Sequence, residues 1–250
     1  MKSMIRTGVT GLLLLTGFCA ARSEADVVIL GTRMIFPAAQ SEVTVQLSNT
    51  SARPALVQLW VDEDGVSATP ASSKAPFIVT PPLARMEGGK GQVVRVLHRP
   101  SALPADKESL FWFNVLEVPP KPQDESEQNL MQFAIKTRIK LIYRPQGLPG
   151  ESSDAPRQLR WSLTDGPSGG WSLRVHNPTP YYVNFASIGV QLDKAPVLQR
   201  PEGGGRVGPG ETASFAFEAL ATLGRGPLKV VFTALSDLGA PIPLTQPVAR

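Results

Sequence analysis

The sequence predicts an all-β, almost helix-free protein built as two immunoglobulin-like sandwiches, and three observations carry that expectation. Short runs of alternating apolar and polar residues recur along most of the chain, which is the period-2 pattern of half-buried strands. Between those runs fall 22 glycines and 24 prolines among 250 residues, a distribution that breaks helices and punctuates strands. A stretch rich in Pro, Gly, Ser and charge, "RPQGLPGESSDAPRQ" at 144–158, then divides the runs into two series. The hydrophobic content of 42% is enough for packed cores and argues against disorder.

The chain opens with Lys2 and Arg6, an apolar stretch from Val9 to Phe18, and then small residues. This is the pattern of a secretory signal peptide over residues 1–25, and it is too short for the roughly 18–20 residues of a membrane span. Cleavage after Ala25 is favoured, with Ala21 as the alternative. Either cut removes Cys19, the only cysteine, so the mature chain has no disulfide and its stability rests on packing. A lipoprotein reading with acylated Cys19 is weakened by the bulky Phe18 before it. The formal charge falls from +4 to +2 on losing Lys2, Arg6, Arg22 and Glu24. No clustered basic patch with interleaved aromatics remains, which argues against nucleic-acid binding.

Strand-like runs cover 26–36, 42–49, 55–62, 77–80, 91–98 and 109–118, followed by a long one, "NLMQFAIKTRIKLIYRP", at 129–145. About seven strands in about 120 residues fit an immunoglobulin-like sandwich. A second series at 158–163, 170–177, 181–192, 212–219 and 227–235 predicts a second β-domain. The domains are accordingly placed at 26–145 and 146–250.

Enzyme signatures are weak. His98 and His176 each stand alone in a strand pattern, with no second ligand at metal-binding spacing. "GGGRVG" at 203–208 formally fits a dinucleotide-binding pattern, but Pro209 and Gly210 follow where a helix should open, so a loop is predicted. "GPSGG" around Ser168 does not fit a nucleophile elbow. Nothing in the sequence calls for a metal or cofactor.

The 129–145 run raises a question of burial. Met131, Phe133, Ile135, Thr137, Ile139, Leu141 and Tyr143 form one nearly continuous apolar face, with Gln132, Lys136, Arg138 and Lys140 opposite. Fifteen extended residues reach roughly 50 Å, against about 17–20 Å for an ordinary strand. One small domain cannot easily use that much strand. Before it, "PPKPQDESEQ" at 119–128 reads as a proline-rich, acidic loop whose charges discourage self-pairing.

The run "LPADKESLFWFNVLEVPP" at 103–120 resembles, nearly position for position, the signature of periplasmic pilus chaperones of the chaperone-usher pathway, the PapD-like family. "GTRMIF", "QLWVD", "FIVTPPLAR", "AIKTRIKLIYRP" and "VHNPTPYYV" extend the likeness over the mature chain in the family's order. The resemblance implies two immunoglobulin-like domains set at an angle, no enzymatic activity and no cofactor. It also implies that the long strand is lent to a pilus subunit lacking its final strand, and that the loaded subunit passes to an outer-membrane usher. Such chaperone-pilin exchange is a known form of β-strand addition, so the mechanism comes with the resemblance rather than from the residues themselves. Met131, Phe133 and Ile135 are then the residues donated to the subunit groove. Arg33 and Lys140 match the family's cation pair that holds the subunit's C-terminal carboxylate. Arg95, Glu108 and Arg144 match its internal ion-pair network near the domain junction, with Glu108 held as an anion between two arginines. The short 119–128 connection points to the short-loop subgroup.

Two other readings remain open at the level of sequence. An exported two-domain adhesin or structural pilus component predicts polymerisation or a surface ligand, with Arg33 and Lys140 dispensable. A metal-dependent β-sandwich enzyme predicts bound metal, against which the two isolated histidines argue. Self-association in the absence of client is compatible with the exposed apolar strand.

Overall fold

The computed structural model describes residues 26–63, 69–118, 133–165, 171–200, 202–217 and 226–249. The leader, the 119–128 loop and Met131 lie outside them. Within the described residues the regular structure is all strand apart from one 3-10 turn at Ala155–Gln158.

The first apolar run forms two strands rather than one. β1 (Val27–Ile29) and β2 (Arg33–Pro37) are separated by Gly31, whose φ of +124° is strained for any residue with a Cβ. That corner moves the chain from one sheet to the other. β3 (Glu42–Asn49), β4 (Ala55–Asp62) and β5 (Phe77–Thr80) follow as their alternation predicts. β6 (Leu83–Met86) is an added short strand, and β7 (Gly91–His98) and β8 (Ser109–Val118) complete the series before β9. The described part of β9 is Ile135–Arg144, ten residues rather than the fifteen the alternation suggests.

The two sheets run β1-β3-β7-β5 and β2-β9-β8-β4-β6. Leu47, Val94 and Val96 from the first meet Phe36, Val57, Phe113 and Leu141 from the second in one core, all 0% exposed. This is the inward alternation of a sandwich. His98 belongs to its rim, with its ring 4.7 Å from Tyr143 and 5.3 Å from Phe77, and burial lowers its pKa. Its role is packing.

The second series comprises β10 (Arg160–Asp165), β11 (Trp171–His176), β12 (Val183–Leu192), β13 (Leu198–Gln199), β14 (Gly205–Val207), β15 (Thr212–Phe217), β16 (Leu228–Leu235) and β17 (Pro241–Ala249). Hydrogen bonds link them in the order β13-β12-β16-β17-β10-β11-β15, with β14 also on β12. Trp161 on β10 nevertheless lies 5.7 Å from Phe185 on β12 and 5.2 Å from Phe232 on β16, so the sheet folds over a shared core. Residues 203–208, where the sequence predicts a loop, contain β14. β17 is also unexpected, because Pro241, Pro243 and Pro247 argue against a strand. Their even spacing places every missing N–H on one edge, leaving the alternate residues to pair with β16.

Candidate functional site

The site is built around the two edges of β9. On one side β9 pairs antiparallel with β8 from Ile135↔Glu117 to Tyr143↔Ser109. On the other side it pairs with β2, in parallel, only from Lys140↔Arg33 to Arg144↔Pro37. Among the described residues, 135–139 therefore have a strand partner on one edge alone. Unpaired backbone N–H and C=O groups on such an edge are a template for another strand.

The apolar face of this strand changes character along its length. Ile139 and Leu141 are buried in the sandwich core, at 8% and 0% exposure. Ile135 is half-buried and Phe133, just before the strand, is 71% exposed. Met131, the third residue expected to enter a subunit groove, lies outside the described residues.

Arg33 and Lys140 stand opposite one another where the open edge ends. Lys140 Nζ donates to Asn184 Oδ1 on β12 at 2.5 Å, a contact between the two domains. Burial, then the charges of Arg33 and Arg206, push the Lys140 pKa down to about 8. Burial also lowers Arg33, against the opposing charge of Asp237. Arg33 Nε is buried and has no hydrogen-bond partner among the described residues. Arg33, Tyr182, Asn184 and Asp237 help line a cavity of about 250 Å³. Two adjacent cations with unmet donor capacity favour an anionic ligand, and a carboxylate is a strong acceptor for them.

Glu108 and Arg144 come together as the resemblance implies. Arg144 Nε donates to Glu108 Oε1 at 2.6 Å, and the Tyr182 backbone N–H donates to Glu108 Oε2 at the same distance. Arg95 does not join them. It lies on β7, in the other sheet, and pairs with Glu42 across the β3–β7 ladder. Asp237 takes the remaining place: Arg144 Nη1 and Nη2 donate to its two oxygens at 2.8 and 3.0 Å, and Ser152 Oγ adds a bond at 3.0 Å. Glu108 thus has one arginine rather than two. Burial raises its pKa and outweighs the lowering by the Tyr182 N–H and Arg144. Asp237 shows the opposite balance: burial pushes it up, but Arg144, Ser152 and the charge of Arg33 hold it below its ordinary value.

The polar face of β9 is not a plain solvated one. Lys136 Nζ sits 4.8 Å from the centre of the Trp60 ring, and the Arg138 guanidinium 4.6 Å from that of Trp112. Arg138 also donates to Asp62, 1% exposed, at 3.0 Å, and Asn114 donates to the other oxygen of that carboxylate at 2.9 Å. Asp62, Asn184, Arg206 and Asp237 escape sequence reading because each couples to β9 or its neighbours only through the tertiary fold.

Comparison with known proteins identifies the lineage. Residues 26–149 match the family described as pili and flagellar-assembly chaperone, PapD N-terminal domain, and residues 154–246 match pili assembly chaperone PapD, C-terminal domain. The chaperone protein FimB/FhaD of Bordetella pertussis is 39% identical over 234 residues, 92% of this chain and 91% of that protein. The crystal structure of the Pseudomonas aeruginosa CupB2 chaperone is 33% identical with a TM-score of 0.70, covering 88% of this chain and 99% of that one. The SafB chaperone structure from Salmonella enterica, solved in complex with the SafA pilin, is 29% identical with a TM-score of 0.68, covering 91% of this chain and 98% of that one. With both of its halves matched and its edge-strand geometry in place, this chain belongs to the PapD family of pilus-assembly chaperones.

Proposed function

We propose that this chain is a periplasmic, non-enzymatic chaperone that captures pilus subunits by strand donation, caps their polymerising groove and delivers them to an outer-membrane usher. The observation that carries the reading is the one-sided pairing of β9 at 135–139, which ends at the Arg33–Lys140 pair. Backbone groups along that edge supply sequence-tolerant hydrogen bonds to the guest, while Met131, Phe133 and Ile135 enter its groove. Each such side chain, fully buried, contributes about 1.5–3 kcal/mol. Arg33 and Lys140 hold the subunit's terminal carboxylate and so fix the register of the added strand. Exchange of the donated strand for the next subunit's own extension releases the chaperone without a nucleotide.

In this reading residues 1–25 are an export leader, 26–145 the donating domain, and 146–250 the domain that closes the cleft. The Glu108–Arg144–Asp237 network holds the two domains in register. N-terminal sequencing of the exported protein is expected to begin at Asp26; a start at Arg22 places the cut after Ala21.

The central test is co-purification from periplasm with a co-expressed pilus subunit. Arg33→Ala and Lys140→Ala are expected to fold normally and to lose the subunit. Undiminished recovery with both variants overturns the carboxylate anchor.

A further inference from the structure

The stretches "QLWVD" at 58–62 and "FWFNV" at 111–115 lie side by side on β4 and β8, paired Trp60↔Asn114 and Asp62↔Trp112. β9 continues these rows, with Arg138 opposite Asn114 and Lys140 opposite Trp112. Strand side chains alternate between faces, so Trp60, Asp62, Trp112, Asn114 and Arg138 share the side of the sheet that points away from the sandwich core. Two of them are nevertheless closed off from solvent: Asp62 is 1% exposed and Asn114 0%. Asn114 Nδ2 donates to Asp62 Oδ2 at 2.9 Å and to the Trp112 carbonyl at 3.0 Å, which fixes the carboxylate in place. Its other oxygen, Oδ1, accepts from Arg138 Nη2 at 3.0 Å, and the same guanidinium lies 4.6 Å from the centre of the Trp112 ring. Arg138 therefore reaches across β8 to β4, and one side chain ties three strands. A charge-assisted bond to a carboxylate that is itself held is the strong kind.

That tie falls on the part of β9 with the least other support. Among the described residues, 135–139 pair with β8 alone. Ile135 and Thr137, on the inward face, are only half-buried, and Phe133 ahead of them is 71% exposed. An edge segment held by one ladder and little apolar burial frays at low free energy. Asp62 is enclosed too deeply to touch a guest, so whatever it contributes to capture passes through Arg138 to the strand.

We propose that Asp62, acting through Arg138, is a positioning residue for strand donation: it keeps 135–139 extended in the free chaperone, so that the open edge is already formed when a guest arrives. Ordering one residue on binding weakens affinity roughly tenfold, and residues held in advance escape that penalty. This inference rests on the strand-donation reading given above.

The test is amide hydrogen exchange on the mature protein, free and in complex with a co-expressed pilus subunit, together with recovery of that subunit from periplasm. Asp62→Asn combined with Arg138→Thr removes both charges, so neither is left unpaired. Thr preserves strand propensity but is too short to reach Trp112 or position 62. In the free wild type, the amides of 135–139 that bond to β8 are expected to be protected. In the double variant they are expected to exchange at close to the rate of unstructured chain, with β3 and β7 unchanged and subunit recovery lower by about tenfold. Arg138→Lys keeps the pair with Asp62 and is expected to retain much of the protection and the recovery, though not all, since it lacks the planar stack on Trp112. If 135–139 exchange alike in the wild type and the double variant, or lose protection while the subunit is recovered in full, the positioning role is wrong and strand donation stands. Faster exchange spread equally over β3 and β7 also overturns the proposal, since it assigns the pair to general stability. If the amides facing the open edge gain no protection in the wild-type complex, strand donation itself fails and this inference with it.

Discussion

Glu108, just before β8, accepts a hydrogen bond from the backbone N–H of Tyr182 at 2.6 Å, so a carboxylate of the first sandwich is tied to the main chain of the second. The same carboxylate takes the Arg144 Nε, and Arg144 reaches on to Asp237 in the β16–β17 turn. Glu108 is 3% exposed, which makes this chain of contacts sensitive to the loss of any one member. Arg144→Met is expected to destabilise the protein by about 3–5 kcal/mol, because it strands a buried charge. Arg95→Ala, which removes an exposed pair with Glu42, is expected to leave the urea midpoint unchanged. Equal effects of the two substitutions would contradict the assignment of Asp237, rather than Arg95, to the network.

Acid stability follows from Asp237. Its folded-state pKa lies below the ordinary value, since the bonds from Arg144 and Ser152 outweigh burial. The stabilisation is therefore fully present above the unfolded value of about 3.9 and is lost as pH falls through the lower folded value. Glu108 acts in the opposite sense: its raised pKa favours the folded state at low pH, a contribution lost as pH rises through the folded value. Asp237→Asn is expected to flatten the acid limb of a melting-temperature profile, and Glu108→Gln to steepen it.

Capture should also depend on pH at the alkaline end. With its pKa pushed down to about 8, Lys140 loses its proton within an accessible range. A carboxylate guest binds the protonated form, so affinity is expected to fall by up to about tenfold per pH unit above the Lys140 pKa until the guest-bound pKa is reached. Lys140→Arg keeps its charge and is expected to show a flat profile. A wild-type affinity unchanged from neutral pH to well above the Lys140 pKa would remove Lys140 from the anchor.

The division of the β9 apolar face predicts two opposite outcomes from one kind of substitution. Phe133→Asp alters a residue that is 71% exposed and should abolish subunit capture with no change in the thermal melt. Ile139→Asp places an unpaired charge in the core, at a position 8% exposed, and should prevent folding. Circular dichroism melts together with co-purification separate the two results.

Strict alternation makes much of the first sandwich readable. The patterns of β3 and β7 follow the alternation of inward and outward residues, and β9 announces itself through the long apolar alternation of the 129–145 run. Alternation does not say which of two sheets a strand joins. Arg95 and Arg144 therefore look equivalent as outward cations, although their strands lie in opposite sheets. β17 is hidden by prolines whose even spacing becomes meaningful only beside β16. Alternation places Lys136 and Arg138 on the polar side of β9 but cannot show their stacking partners, Trp60 and Trp112, which come from other strands. Asp237 sits in an Asp-Leu-Gly turn that carries no local mark of the arginine it binds.

The open stretch 135–139 lies on the N-terminal side of Lys140, and that order sets the polarity of a visitor held by its final carboxylate. A chain whose final carboxylate rests between Arg33 and Lys140, with its body alongside 135–139, must travel in the same direction as β9 and finish where β2 begins. Such a visitor and β2 then lie nose to tail along a single rail, and a buffer at its closed end would measure each arrival from its last residue rather than its first.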